Sequence, residues 1–170
     1  LTEHGVPTGD IVNPLDVELR DCIFTFNIWM YRLKHIGPKA RFNLSDARPL
    51  YLEARLQQHK ANDFKDSATP WIRDSADVPA ILQMLMYYEA AKGQSYTGLT
   101  HRYQTHLDLS SQMNRERGLL VGYADKPAAE VKVDGESFSA DQVQSWTFYR
   151  ISIPVVPKSA ATATASKSRD

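Results

Sequence analysis

Along the first part of the chain the apolar residues Leu15, Leu19, Cys22, Phe26, Trp29, Leu33 and Ile36 recur at alternating spacings of four and three. That stripe keeps one face of an α-helix on a partner surface. Ile23, Phe24, Ile28, Met30 and Tyr31 widen it, so the pattern predicts a largely buried helix from Asn13 to Gly37. Both ends agree: Asn13 can cap, Pro14 suits the first helical position, and Gly37-Pro38 is a stop. A second, wetter helix is expected from Ser45 or Asp46 to Lys60 or Phe64, with Leu52, Leu56 and His59 inward. A third runs from Asp77 to Gly93, and its centre, Ile81 to Tyr88, is apolar nearly all round.

After Gly98 the period becomes two. Tyr103, Thr105, Leu107 and Leu109 alternate with polar residues as in a half-buried strand, and Gly118 to Tyr123 reads as another. Asp134-Gly135 between Val131-Val133 and Glu136-Ser139 is a hairpin signal. Trp146 to Val156 alternates again, and Pro154 argues that this last strand ends at a sheet edge. The order predicts an α+β fold, three helices followed by a curved antiparallel sheet of four or five strands. The expected division is an irregular lead-in over 1–12, a single domain over 13–156, and a low-complexity tail over 157–170. The tail is too poor in apolar residues to offset its ordering entropy, and is expected to be disordered or held by a partner.

Composition narrows the function classes. The chain has 170 residues, with 20 Lys and Arg balancing 20 Asp and Glu. That balance removes the usual electrostatic case for nucleic-acid binding. Cys22 stands alone, so there is no intrachain disulfide and no multi-cysteine zinc site, and its place on the apolar stripe suits a buried, inert thiol. No apolar run is long enough to span a membrane. The chain opens on Leu1, so processing or an engineered start is expected to have removed what preceded it. A membrane is therefore expected only through a segment before Leu1, and the compartment stays open between periplasmic or membrane-associated and cytoplasmic.

Candidate chemistry is sparse. None of His4, His35, His59, His101 and His106 forms an i, i+4 pair, and neither metal nor cofactor is expected. Nucleophile elbows and phosphate-cradling glycine loops are absent. Arg102, His106 and Asp108 would share one face of a strand and are the candidate acid–base residues, against a plain reading as that strand's solvated face. Asn43-Leu44-Ser45 fits a glycosylation acceptor, a pattern that matters only in a secreted eukaryotic chain. The stronger signal is surplus aromatic and apolar surface, with Phe24, Ile28, Tyr31, Trp71, Trp146 and Phe148 as interface candidates.

The lead-in ending in Val12-Asn13-Pro14, the aromatic run Phe24-Thr25-Phe26-Asn27-Ile28-Trp29 and the closing strand Tyr149 to Val155 resemble NTF2-like domains, including the VirB8-like components of bacterial type IV secretion and conjugation machines. The resemblance lies in the order of elements and rests on no specific motif. It implies a helices-then-sheet fold, an anchor ahead of the domain, and a place in a secretion or conjugation complex. The polar stretch around Asp63 to Asp77 and the C-terminal tail have no counterpart in it.

Two functions follow. The first, preferred for want of a catalytic signature, is a non-enzymatic structural component of an assembly, binding protein partners as a homo- or hetero-oligomer. The alternative is a small-ligand binder or enzyme with a cavity between helices and sheet, on which Tyr87, Tyr103, His106 or Asp108 would converge.

Overall fold

The stretch expected to be the first helix folds as a β-hairpin. In the computed structural model, which describes residues 1, 5–55, 78–90, 92–93, 104–113, 116–130, 132–138 and 145–156, strand β2 (Leu19–Phe26) turns at Asn27-Ile28 into β3 (Trp29–Ile36). The two pair antiparallel from Leu19 opposite Ile36 to Phe26 opposite Trp29. Asn27 supplies the turn's positive φ of 52°, which Asn tolerates better than most residues.

The helical spacing has a cause in the strands. The register passes from Arg20–His35 to Cys22–Lys34 and then to Ile23–Arg32, so Asp21 on β2 and Leu33 on β3 are left without opposite partners. Asp21 and Lys34 take positive φ, 44° and 56°. Each bulge adds one residue to a period of two. Leu19 and Cys22 therefore reach the same core, as do Leu33 and Ile36, at a spacing of three. The β-branched and aromatic content of residues 23–31 favours strand, and buried strands read as near-continuous apolar runs.

A five-stranded antiparallel sheet forms around this hairpin in the order β5-β3-β2-β6-β9. Its other members are β5 (Leu50–Tyr51), β6 (Arg117–Ala124) and β9 (Thr147–Pro154). Ahead of it, β1 (Asp10–Val12) pairs with β4 (Arg41–Asn43), and β7 (Lys132–Val133) pairs with β8 (Glu136–Ser137) across Asp134-Gly135. The last two form the hairpin expected from their turn. Among the described residues, helix α1 (Val78–Met86) lies within the expected third helix, and helix α2 (Gln104–Leu107) follows it. Neither is long and apolar enough to cross a membrane.

The helices-then-sheet fold class is thus corrected to a mostly β fold. Over Thr105 to Leu109 the expected strand is replaced by α2 and a turn in which the Asp108 carboxylate accepts from the Ser110 backbone N–H at 2.9 Å, a local bond that ends any extended run there. The expected second helix begins as a 3-10 turn over Leu44–Asp46, passes through β5, and is helical again over 52–55. Its remainder, Arg102, Tyr103, Trp71, His4, His59, His101 and the tail over 157–170 lie outside the described residues.

The sheet is buried on both faces. One carries Leu19, Cys22, Phe24, Tyr31, Leu33 and Leu120, covered by Ile11, Leu44 and the lead-in. The other carries Ile23, Met30, Leu119 and Val121, covered by Met86, Tyr87, Leu109 and Met113. Glycines on β6 make the first face close-packed: a Cβ on Gly118 would meet the Phe24 ring at 2.2 Å, and one on Gly122 would meet Cys22 Sγ at 2.9 Å. The lead-in is fastened by Asn13. Its buried amide donates to the carbonyls of Val17 (2.8 Å), Ile36 (3.2 Å) and Gly37 (2.9 Å) and accepts from the Leu15 N–H (3.0 Å).

Candidate functional site

Of the acid–base candidates, His106 stands exposed on α2. Asp108 is half-buried, and its carboxylate accepts from the Ser110 N–H, from Ser110 Oγ at 2.6 Å and from the Glu89 N–H at 3.2 Å. Ser110 Oγ in turn accepts from the Ala90 N–H at 3.0 Å, and the Leu109 N–H donates to the Met86 carbonyl at 2.8 Å. These bonds clasp the chain after α2 to the end of α1. Asp108 here holds two segments together.

Tyr87, expected on a shared cavity, is fully buried under the sheet with its hydroxyl 3.4 Å from Thr25 Oγ1. Burial pushes its pKa up to about 12, opposed in part by that hydrogen bond. It is locked in the core as a neutral phenol. Two open clefts lie nearby. One, of about 430 Å³, is lined by Ile28, Tyr51, Leu52, Glu53 and Met113, and the other, of about 560 Å³, by Tyr88, Thr105, Asp108, Ser110 and Met113. Neither brings Tyr87, His106 and Asp108 together. Among the described residues no three of His, Cys, Asp and Glu are grouped to hold a metal ion.

The interface candidates divide. Phe24 and Tyr31 are 2% and 1% exposed, and the Tyr31 hydroxyl donates to the Pro7 carbonyl at 2.8 Å, so both belong to the core. Burial also raises the Tyr31 pKa. Ile28 is 53% exposed at the hairpin turn, beside Tyr51, whose ring stacks on Trp29 with centroids 4.7 Å apart. Trp146 and Phe148 are half-buried, and Phe148 packs on Tyr123 at 5.7 Å. These two sit at the start of β9, where the sheet ends.

Strand β9 pairs with β6 without interruption from Thr147–Ala124 to Pro154–Arg117 and, among the described residues, has no neighbour on its other side. One bond fixes which backbone groups face outward. The Val155 N–H donates to the Glu116 carbonyl at 3.4 Å, so the ladder bonds to β6 belong to the odd residues, Tyr149, Ile151 and Ile153, and every second residue turns away. Phe148, Arg150 and Ser152 therefore direct their N–H and C=O groups off the sheet. Pro154, which has no N–H, is in the outward set, where it costs the ladder nothing.

The side chains of β9 follow the same alternation. Tyr149, Ile151 and Ile153 pack partly buried on the first core, while Arg150 and Ser152 are exposed. Arg150 is the strand's one charged residue. Arg117 on β6 reaches across to Ser152, with Nε 2.6 Å from Oγ and a guanidinium nitrogen 3.5 Å from its carbonyl. At the far end of the sheet β5 offers only Leu50 and Tyr51. Pro154 marks the end of this edge in the sequence; that the strand is open along its length follows from backbone direction, which no side chain signals.

No curated protein and no solved structure matches the chain. A family model described as "Domain of unknown function (DUF8725)" matches residues 1–154, from the lead-in through the end of β9, and the chain belongs to that family.

Proposed function

We propose that this protein is a non-enzymatic interaction component of a multi-subunit assembly, and that it joins its partner by strand addition to β9. The observation that carries the reading is an eight-residue, unbulged edge strand with the N–H and C=O groups of Phe148, Arg150 and Ser152 directed off the sheet. Such edges template pairing, and proteins that avoid pairing blunt them with charge, bulges or cover. Here the strand itself carries one arginine and a terminal proline, and Arg117 of β6 reaches the Ser152 carbonyl only at 3.5 Å, leaving the Ser152 N–H and the Arg150 and Phe148 groups uncovered by it. The helices-then-sheet order that linked the chain to secretion and conjugation machines is replaced by a mostly β fold, so the proposal stops at an assembly component and names no machine.

A photo-reactive side chain at position 150 tests it in cells that make the protein at native level. Polypeptide adducts are expected, and Ser152→Pro, which removes an outward donor and no ladder bond to β6, should abolish them, while Ser152→Ala, which removes only the hydroxyl that Arg117 holds, should keep them. Absence of adducts in the parent protein would overturn the reading.

A further inference from the structure

We propose that the strand added to β9 is β9 of a second copy of this chain, joined antiparallel about a two-fold axis at Ile151, so that Arg150 of each copy exchanges backbone hydrogen bonds with Ser152 of the other. The inference rests on β9 being the interaction edge and deepens that reading by naming the occupant.

Closure is the first argument. Sheet-to-sheet growth between copies needs two edges, and the opposite edge, β5, has two residues against eight in β9. A head-to-tail contact between them would be short and would propagate. Pairing β9 with itself uses the long edge on both sides and closes as a dimer.

Charge sets the register. Only Phe148, Arg150, Ser152 and Pro154 face outward; centring on Phe148 or Pro154 overlaps a single outward residue and centring on Ile153 sets Ser152 against Pro154, which lacks a donor, so Tyr149, Arg150, Ile151 and Ser152 remain as centres of a symmetric antiparallel pairing. Centring on Arg150 places two guanidinium groups directly opposite each other, which is unfavourable. Centring on Ser152 sets Arg150 against Pro154, which lacks a donor. Centring on Tyr149 sets Phe148 against Arg150 and leaves Ser152 to pair beyond the strand's start. Centring on Ile151 sets Arg150 against Ser152, so both residues exchange N–H and C=O groups, twice by symmetry. It also lays Ile151 beside its own copy and Tyr149 beside Ile153, so the apolar stripe packed on the first core runs on across the axis.

Sedimentation velocity on the full chain at micromolar concentrations tests this, with the melting temperature of each variant measured alongside. The parent protein should dimerise reversibly. Ser152→Lys, at an exposed position, places like charges directly opposite twice and should raise the dimer Kd about tenfold. Adding Arg150→Glu restores opposite charges in this register alone, and should return the Kd to within about threefold of the parent. Ser152→Pro should give a monomer with its fold retained. A dimer indifferent to these changes, or one that the charge swap weakens further, overturns the pairing. A monomeric parent that still forms position-150 adducts with a different polypeptide overturns self-pairing while the edge reading stands; a monomer with no adducts overturns both.

Discussion

Asn13 donates its side-chain N–H to the Gly37 carbonyl at 2.9 Å, joining the lead-in ahead of the β2-β3 hairpin to the residue that follows it. The same amide bridges Ile36 and Val17 and accepts from Leu15, with no exposed surface. It is the knot that holds the lead-in across one face of the sheet. Asn13→Ala would leave several buried carbonyls without a donor and should lower unfolding free energy by about 3 kcal/mol in urea titrations. Asn13→Asp should do no better, since a carboxylate has nothing to donate.

Gly118 lies under the Phe24 ring with no room for a side chain. Gly118→Ala forces the ring or the β6 backbone to move and should cost about 2 kcal/mol by thermal or urea unfolding. A neutral result would mean that the Phe24 ring has space elsewhere in the core.

The Asn27-Ile28 turn is hidden in the sequence because Asn-Ile is not a recognised hairpin pair. Asn27→Ala, which meets the positive φ of 52° less well, should cost about 1 kcal/mol. Asn27→Gly should stay within about 0.5 kcal/mol of the parent protein. Equal losses for both Asn27 variants would argue against the turn.

What the residues revealed depended on whether local pattern and tertiary structure agreed. The Asp134-Gly135 hairpin, the strand ending at Pro154, the β6 strand and the helix over Ile81 to Met86 are each set by short-range signals, and each was legible, although that helix stops at Met86 and the expected run on to Gly93 is turn over 87–90. The β2-β3 hairpin was not, because the bulges at Asp21 and Leu33 shift a two-residue period into apparent helical spacing. Asn13 was recognised as a side chain that accepts a backbone N–H, and it does accept from Leu15, but its donors close the hairpin instead of opening a helix. Arg150 and Ser152 carried no signal as side chains. Their importance comes from backbone direction, which a bond elsewhere, between Val155 and Glu116, determines.

Stability should fall in alkali. Desolvation pushes Cys22 from 9.0 to about 12, with the charges of Asp21 and Glu18 adding and a hydrogen bond to the Ile36 backbone opposing, and burial pushes Tyr87 from 10.0 to about 12. Each folded value lies above the unfolded one, so the unfolded chain ionises first as pH rises. The neutral forms are equally protonated in both states below about pH 9, and stability is lost between there and about pH 12. The slope per group is at most about 1.4 kcal/mol per pH unit. Tyr87→Phe should flatten the loss above pH 10 in urea titrations, while costing about 1 kcal/mol at neutral pH because Thr25 Oγ1 loses its buried partner.

The central claim concerns backbone amides, and residue-resolved hydrogen exchange reads them directly. In dilute protein the amides of Tyr149, Ile151 and Ile153 should be protected by the ladder to β6, while those of Phe148, Arg150 and Ser152 exchange quickly. At concentrations where the chain associates, the second set should become protected as the β9 edges pair. Fast exchange at Phe148, Arg150 and Ser152 in the associated state would contradict the account.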